Sequence, residues 1–583
     1  MAAAPDTSMR ILPVRAGHVL VELAGLDQVL ALSAALESDP VPGIREIIPA
    51  ARTLLVSYDT GEIGADALVR ALASRAGGER KQLSSALVEI PVRYDGEDLP
   101  EVAGLLGMSV DEVVRLHTQS EYVVAFMGFA PGFGYLAGGD LRLTVPRRIS
   151  PRTQVPAGAV GLAGEFSGVY PKASPGGWQL IGSTPLAMFD IDRDPASLLQ
   201  PGSRVRFRNM AEDGAYALTA VECPSPLPSP RTRGEGDMDV SALSCLPGAA
   251  IEKEATALMP PSPRSSRGEG KGEGHSTTAA IEILSTGLPV LFQDLGRAGQ
   301  AGQGISVSGA ADRASFKAAN RLVGNPVGAA ALEITLGGLR FVMRGRGVMA
   351  VTGAEVAIII TDAQGRKIAV PMNSAVALDD GDVVSLGVPN GGMRSYLAVR
   401  GGFDVAPVLA SCATDTLAQI GPAALKAGDE VGIRTVPAGM VVSLPEPPAF
   451  AMPSPSATVV LDVVLGPRTD WFTQEAVERF LSREWSVTPQ SSRVGIRLEG
   501  EALERKIHAE LPSEATVRGA VQVPASGQPV LFLVDHPLTG GYPVIANVAA
   551  HHLDLAGQIP VGARIQFNAT GDFAPRIISG KDA

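Results

Sequence analysis

Hydrophobic and polar positions along the chain change over in short blocks set apart by glycine and proline, the rhythm of a β-rich fold. Ile11 to Glu22 predicts a hairpin. Leu26 to Leu36 carries Val29, Leu30, Leu32 and Leu36 at helical spacing. Ile44 to Ser57 is strand-like and Gly64 to Ala76 predicts a second helix, so residues 1–87 form a small α/β domain. From Val88 the helical signal thins to one segment, opened by the capping box Ser109-Val-Asp-Glu112 and running through His117. The remainder of 88–215 reads as short strands between Pro and Gly, as in a closed barrel.

The pattern then lapses. Residues 216–279 are rich in Pro, Gly, Ser and charge and poor in apolar positions, which predicts a disordered linker. Pro228-Ser-Pro-Arg-Thr-Arg-Gly-Glu-Gly236 nearly recurs as Pro261-Ser-Pro-Arg-Ser-Ser-Arg-Gly-Glu-Gly270, too short to be a solenoid repeat. It reads as repetitive filler joining two once-separate genes, with a proline-rich docking peptide as the alternative. Beyond it, 280–455 forms a β lobe around one helix, Asp312 to Leu322. A second lobe, 456–575, holds a helix from Thr473 to Trp485 and a strand-rich tail.

Composition narrows the function. The formal charge of 49 − 61 = −12 argues against a nucleic-acid partner, which asks for a basic footprint. Three cysteines in 583 residues exclude a disulfide scaffold. His551-His552, the one close histidine pair, points to opposite faces on a strand, so no metal site is expected. The start of the chain lacks a basic then apolar leader, and no apolar run is long enough to span a bilayer. The expectation is a cytoplasmic protein without a membrane partner.

Standard catalytic signatures are missing: no phosphate loop, no G-x-S-x-G elbow, and no Met-Lys dipeptide to carry biotin. Three dense blocks stand out instead. They are Tyr122 to Leu136 (containing Gly-Phe-Ala-Pro-Gly-Phe-Gly-Tyr-Leu), Val145 to Gly158 (Pro-Arg-Arg-Ile-Ser-Pro-Arg), and Gly164 to Trp178 (Tyr-Pro-Lys-Ala-Ser-Pro-Gly-Gly-Trp). Aromatic and arginine side chains on glycine-turned loops suit a planar or anionic ligand. Packing at barrel corners explains them equally well.

These blocks resemble the signature of the 5-oxoprolinase B subunit, the KipI-like family. The second half resembles the partner family, the 5-oxoprolinase C subunit (KipA-like), through Phe292–Arg297, Val307–Asp312, Ala319–Asn325, Leu332–Thr335, Tyr396–Gly402, Ser492–Leu498 and Asp535–Pro543. The same pair forms the carboxyltransferase part of urea amidolyase. The resemblance implies a fused B–C polypeptide with cyclophilin-like β-barrels in two halves, working with a separate 5-oxoprolinase A subunit on an amide or lactam. In that reading 5-oxo-L-proline, water and ATP with Mg2+ give L-glutamate. A biotin-dependent carboxyltransferase with its carrier on another chain is the alternative enzyme, and a KipI-like module restraining a histidine kinase the non-enzymatic one. One departure matters: the usual G-S-R-S-T-D is Ala410-Ser-Cys-Ala-Thr-Asp415 here, which loses a glycine and an arginine.

Candidate site residues follow from both readings. Asp535, at a strand end beside glycines, is the candidate general base, with Tyr542 and Gln522 hydrogen bonding a lactam or ureido group. Arg147 and Arg152 form either an anion clamp or structural ion pairs. Gly128, Phe129, Pro131, Gly132, Phe133, Gly176, Gly177 and Trp178 supply the ligand loops, joined by Gly540 and Gly541. Arg493 and Arg497, four apart on a strand, should share a face. Asp312 most simply caps its helix, Glu333 calls for an arginine partner, and His117 ends its helix as an imidazolium. Since neither half has a complete catalytic set, the expected site is a cleft between them.

Overall fold

The structure, a computed structural model, describes residues 9–76, 87–148, 150–211, 279–435 and 444–578. The expected linker lies almost wholly outside them. The described residues are mainly β, with 36% strand and 15% helix.

The hairpin Met9–Arg15/His18–Glu22 grows into a sheet with Ile44–Pro49 and Thr53–Tyr58, flanked by helices Leu26–Ser38 and Ala65–Ala73. Ile44 to Ser57 is therefore two antiparallel strands rather than one. The fifth strand of this sheet is Arg576–Ile578, which pairs with Met9–Ile11. Met9 and Ile11 are buried against the helices and Arg576–Ile578 covers their edge, so this strand belongs to the sheet of the first domain and not to the last lobe.

A seven-stranded sheet follows, whose first and last strands in the chain, Leu87–Val92 and Arg204–Asn209, pair in parallel. A bridge of reciprocal 2.8 Å hydrogen bonds between Arg93 and Ser183 joins the two edges of the sheet, closing the barrel. Two helices pack on it. Val110–Gln119 starts at Ser109, whose Oγ accepts the Glu112 N–H. Leu99–Leu106 goes beyond the single helix expected here; Pro100 in its first turn and left-handed Gly107 at its end are the signals that mark it.

Residues 280–433 form a six-stranded and a five-stranded sheet enclosing one apolar core, with helix Arg313–Leu322 outside. The last lobe is a closed barrel of seven strands. Its first and last strands, Thr458–Leu465 and Arg564–Ala569, again run parallel, so the two barrels share one closing device. The lobe's helix ends at Ser482, and Trp485 is fully buried in the following strand Glu484–Val487. A helix continuing through Trp485 would take its ring out of the core that Phe480 and Phe567 line.

Candidate functional site

The two halves meet along a seam lined by the sequence blocks. Phe129 has a left-handed φ of 63°, and its N–H donates to Thr539 Oγ1 at 3.1 Å. The Gly132 N–H donates to Gln303 O at 3.0 Å, and Tyr135 Oη accepts from Ser513 Oγ at 3.1 Å. A Cβ on Gly128 would lie 2.3 Å from Thr539 Oγ1, so glycine there is a condition of the contact. Arg147 crosses the seam to Glu510 (3.0 Å) and Ser513, and its guanidinium covers Gly541.

Beneath the seam lies a buried charge cluster. Asp535 is fully buried. Its Oδ1 accepts from Ser308 Oγ (2.6 Å) and Arg493 Nη2 (3.0 Å). Its Oδ2 accepts from Arg493 Nε (2.9 Å), the Thr416 N–H (2.9 Å) and Thr416 Oγ1 (2.7 Å). Arg493 also binds Glu333, which takes Tyr396 Oη at 2.8 Å and the Ala311 N–H at 3.1 Å, with Arg394 Nε at 3.5 Å. Burial alone would raise the Asp535 pKa. The Arg493 charge and these hydrogen bonds outweigh it and hold the carboxyl below its ordinary range. A carboxylate that saturated is a poor base, so the structure corrects the expected role: Asp535 anchors the cluster.

Asp415 has the opposite character. It is 1% exposed, and its Oδ1 accepts the N–H groups of Leu417 (3.0 Å) and Ala418 (2.8 Å), but Oδ2 has no partner among the described residues. Burial, then the negative charge of Asp535, push its pKa up to about 6. Arg297 is equally buried. Its Nη2 donates to Ala413 O, while Nε and Nη1 have no partner among the described residues. Burial lowers the Arg297 pKa, opposed chiefly by Asp415. Lys172, from the first half, reaches over the seam to donate to Leu417 O. Burial lowers its pKa and Asp415 opposes the change.

An acceptor oxygen on Asp415 and donor N–H groups on Arg297, whose charges interact, are thus left without partners among the described residues, and for buried groups an unmade hydrogen bond is costly. That pair complements an amide, whose carbonyl accepts and whose N–H donates. Residue-level reading missed Lys172, Arg297, Ser308, Asp415 and Thr416, although all but Thr416 lie inside the motif stretches already singled out.

Other expected site residues go elsewhere. Arg147 and Arg152 diverge: Arg152 pairs with Glu97 (2.6 Å) and Asp98 (2.7 Å) of its own barrel, so no clamp forms. Phe133, Pro131 and Trp178 are buried, and Trp178 meets Phe133 and Tyr135 edge-on in the core. Gly176 makes room for the Tyr170 ring, and Gly177 lies against Pro151. Arg497 is exposed although Arg493 is buried, because Ser492 to Gly495 is a turn and breaks the alternation of strand Gly495–Glu499. Gln522 Nε2 donates to Tyr542 O at 3.1 Å and packs against Gly540, while the Tyr542 side chain is 41% exposed beneath Arg505. Neither hydrogen bonds Asp535. Asp312 caps its helix through the Ser315 N–H (2.9 Å) and is tied to Tyr396 by its own N–H (2.8 Å). His117 is fully buried between Tyr94 Oη (2.7 Å) and Ser167 Oγ (2.9 Å), and burial takes its pKa down to about 3, so it is neutral and not an imidazolium.

His551 and His552 sit on a 3-10 turn, not a strand, and both face Asp462. His551 Nε2 is 2.9 Å from Asp462 Oδ2, yet His552 Nδ1 already accepts the Asp462 N–H at 2.8 Å. The lone pair on that atom is in use, yet Asp462, His551 and His552 bring ligand atoms within 4.8 Å of one another, so the two histidines do not point apart as expected.

The chain matches the family "Carboxyltransferase domain, subdomain C and D" over residues 9–199 and "Carboxyltransferase domain, subdomain A and B" over 303–569. It is 43% identical to the 5-oxoprolinase B subunit of Bacillus subtilis over 204 residues, 32% of this chain and 85% of that protein. It is 36% identical to the 5-oxoprolinase C subunit of Escherichia coli over 295 residues, 49% of this chain and 90% of that protein. Urea amidolyase of Saccharomyces cerevisiae is 33% identical over 49% of this chain, but only 16% of that protein is covered. The crystal structure of TTHA0988 superposes with a TM-score of 0.73 at 33% identity, covering 94% of this chain and 99% of that one. Both halves thus lie on the carboxyltransferase-domain fold in the order C/D then A/B, and the chain belongs to the family of the 5-oxoprolinase B and C subunits, fused in one polypeptide.

Proposed function

We propose that this chain is the B–C component of an ATP-dependent 5-oxoprolinase, which opens 5-oxo-L-proline to L-glutamate together with a separate A subunit. The observation that carries the reading is that one polypeptide matches the B subunit over 85% and the C subunit over 90% of their lengths, whereas it spans 16% of urea amidolyase.

A lactam carbonyl is a poor electrophile. Phosphorylation of its oxygen by ATP, releasing ADP, activates the carbon as an imidate. Water adds there, the C–N bond breaks as the ring nitrogen takes up a proton, and a second water hydrolyses the resulting acyl phosphate to glutamate and phosphate. The chain has to hold the amide edge, stabilise negative charge on oxygen and accept a proton from water. In this reading Arg297 donates to the carbonyl oxygen, Lys172 adds positive charge from the other half, and Asp415 accepts the proton. A carboxyl with a pKa of about 6 is mostly ionised at neutral pH and still basic enough for that task. Arg493 and Asp535 fix the loop carrying Thr416, and so position Asp415 next to it.

The test is to mix the chain with its cognate A subunit, add 5-oxoproline and ATP, and assay glutamate and ADP. Turnover of 5-oxoproline supports the reading; no product with any A subunit encoded beside it refutes it. Carboxyl transfer from a biotin carrier on another chain is the second reading, favoured by the carboxyltransferase description of both family matches. Carboxylation of urea by the chain with such a carrier would decide for it.

A further inference from the structure

On the outer side of helix Arg313–Leu322 lies a cleft of about 380 Å³, within the size range of small-ligand pockets. Arg313, Lys317 and Arg321 line it at intervals of four along one helix face, with Glu446 opposite and Asp554 at the end. The charges do not cancel. Arg321 is paired with Glu446. Asp554 is taken up by the N–H groups of Arg313 (3.1 Å) and Ala314 (3.0 Å) and by Arg518 (3.2 Å). Lys317 has no hydrogen bond or ion pair among the described residues, and Arg313 Nε is buried without a partner.

Behind Arg313 the imbalance deepens. Arg15 from the first domain and Arg518 from the last barrel converge on it. Arg15 donates to Arg518 O, and Arg518 to Ala311 O and Leu553 O, so both spend donors on carbonyls, and Arg518 Nε is left over. Burial and the charges of Arg518 and Arg313 bring the Arg15 pKa down to about 10. Half-buried cations that repel one another and retain open N–H groups are stabilised by a bound anion.

We propose that this cleft binds a phosphate-bearing small molecule, with the phosphate between Lys317 and Arg313 and the organic part along Ala314, Ala318 and the Pro447-Pro448 wall. With Arg321 paired to Glu446 and Arg518 to Asp554, the cleft lining keeps two cations, Arg313 and Lys317. A phosphate, which carries its charge and acceptors on one centre, can meet both at once, whereas a dicarboxylate splits its charge between two ends. This site is separate from the Arg297–Asp415 place, and its test needs no turnover.

Isothermal titration of the full chain with inorganic phosphate, glucose 6-phosphate and succinate reads it directly. Both phosphates should bind, the sugar phosphate more tightly, and the dicarboxylate about tenfold more weakly or worse. Lys317→Glu should weaken phosphate binding about tenfold or more while leaving the melting temperature of the free protein unchanged. Lys367→Glu, the same charge change on an exposed strand, should leave binding as it was. No heat with either phosphate at millimolar concentration, succinate binding as tightly as phosphate, or binding that survives Lys317→Glu would each overturn the proposal.

Discussion

Arg493 grips Asp535 with two parallel hydrogen bonds of 2.9 and 3.0 Å and holds Glu333 with its remaining nitrogen, so one guanidinium ties the closed barrel to the lobe before it. Removing one partner of such a buried pair leaves an uncompensated charge, which costs about 3–5 kcal/mol. Asp535→Ala and Arg493→Ala should therefore lower stability by that order in urea titration. The sign with pH follows from the depressed pKa. Stability from Asp535 is present above the ordinary unfolded carboxyl value and is lost as pH falls through the lower folded one. Asp535→Asn should flatten the acid limb of the stability curve.

Asp415 runs the other way. Its folded pKa of about 6 lies above the unfolded value, so its contribution is full at low pH and is lost as pH rises through about 6. Asp415→Asn should raise the melting temperature at pH 8 relative to the parent, with little gain at pH 4. In the assembled enzyme the same variant should lose roughly a hundredfold or more in turnover. The parent should show an activity limb that rises through pH of about 6. A variant that is hotter-melting at pH 8 yet fully active would remove Asp415 from the mechanism.

Lys172 is half-buried at the seam and hydrogen bonds the second half through Leu417 O. Lys172→Met keeps the stem and removes the charge. Turnover should fall at least tenfold while the melting temperature moves little, since the apolar stem still packs. Lys172→Arg should recover part of the rate.

Gly304 lies against the first half with a φ of +77°, and a Cβ there would sit 2.7 Å from Ala130 O. Gly304→Val should pry the seam open. With the chain cleaved between residues 228 and 274, the two pieces of the parent should co-purify, and those of the variant should separate on size-exclusion chromatography.

Neutral histidines, His117 fully buried and His18 and His536 half-buried, predict a further pH effect. His117 is held down to about 3 and His18 and His536 to about 4, in each case by burial first. The unfolded chain protonates them near 6.5, so stability is complete above that value and declines as pH falls toward the folded ones. His117→Phe should lessen the fall in melting temperature between pH 7 and pH 5.

Pattern alone determined the β-rich class, the first hairpin, the N-caps at Ser109 and Asp312, and the break between the halves, because these depend on residues near one another in the chain. The motif stretches also contained most of the cluster: Lys172, Arg297, Ser308, Asp415, Arg493 and Asp535. Their roles were not legible. A surface carboxylate and a buried one read alike in sequence, and only the fold places Arg493, Ser308 and Thr416 around Asp535 while leaving Asp415 with an open oxygen. Likewise nothing local says that Arg576–Ile578 returns to the sheet of Met9, or that Trp485 leaves its helix to fill a barrel. Those outcomes were decided by tertiary structure, since burial, and with it every pKa and unpaired donor, is set by contacts between residues far apart in the chain.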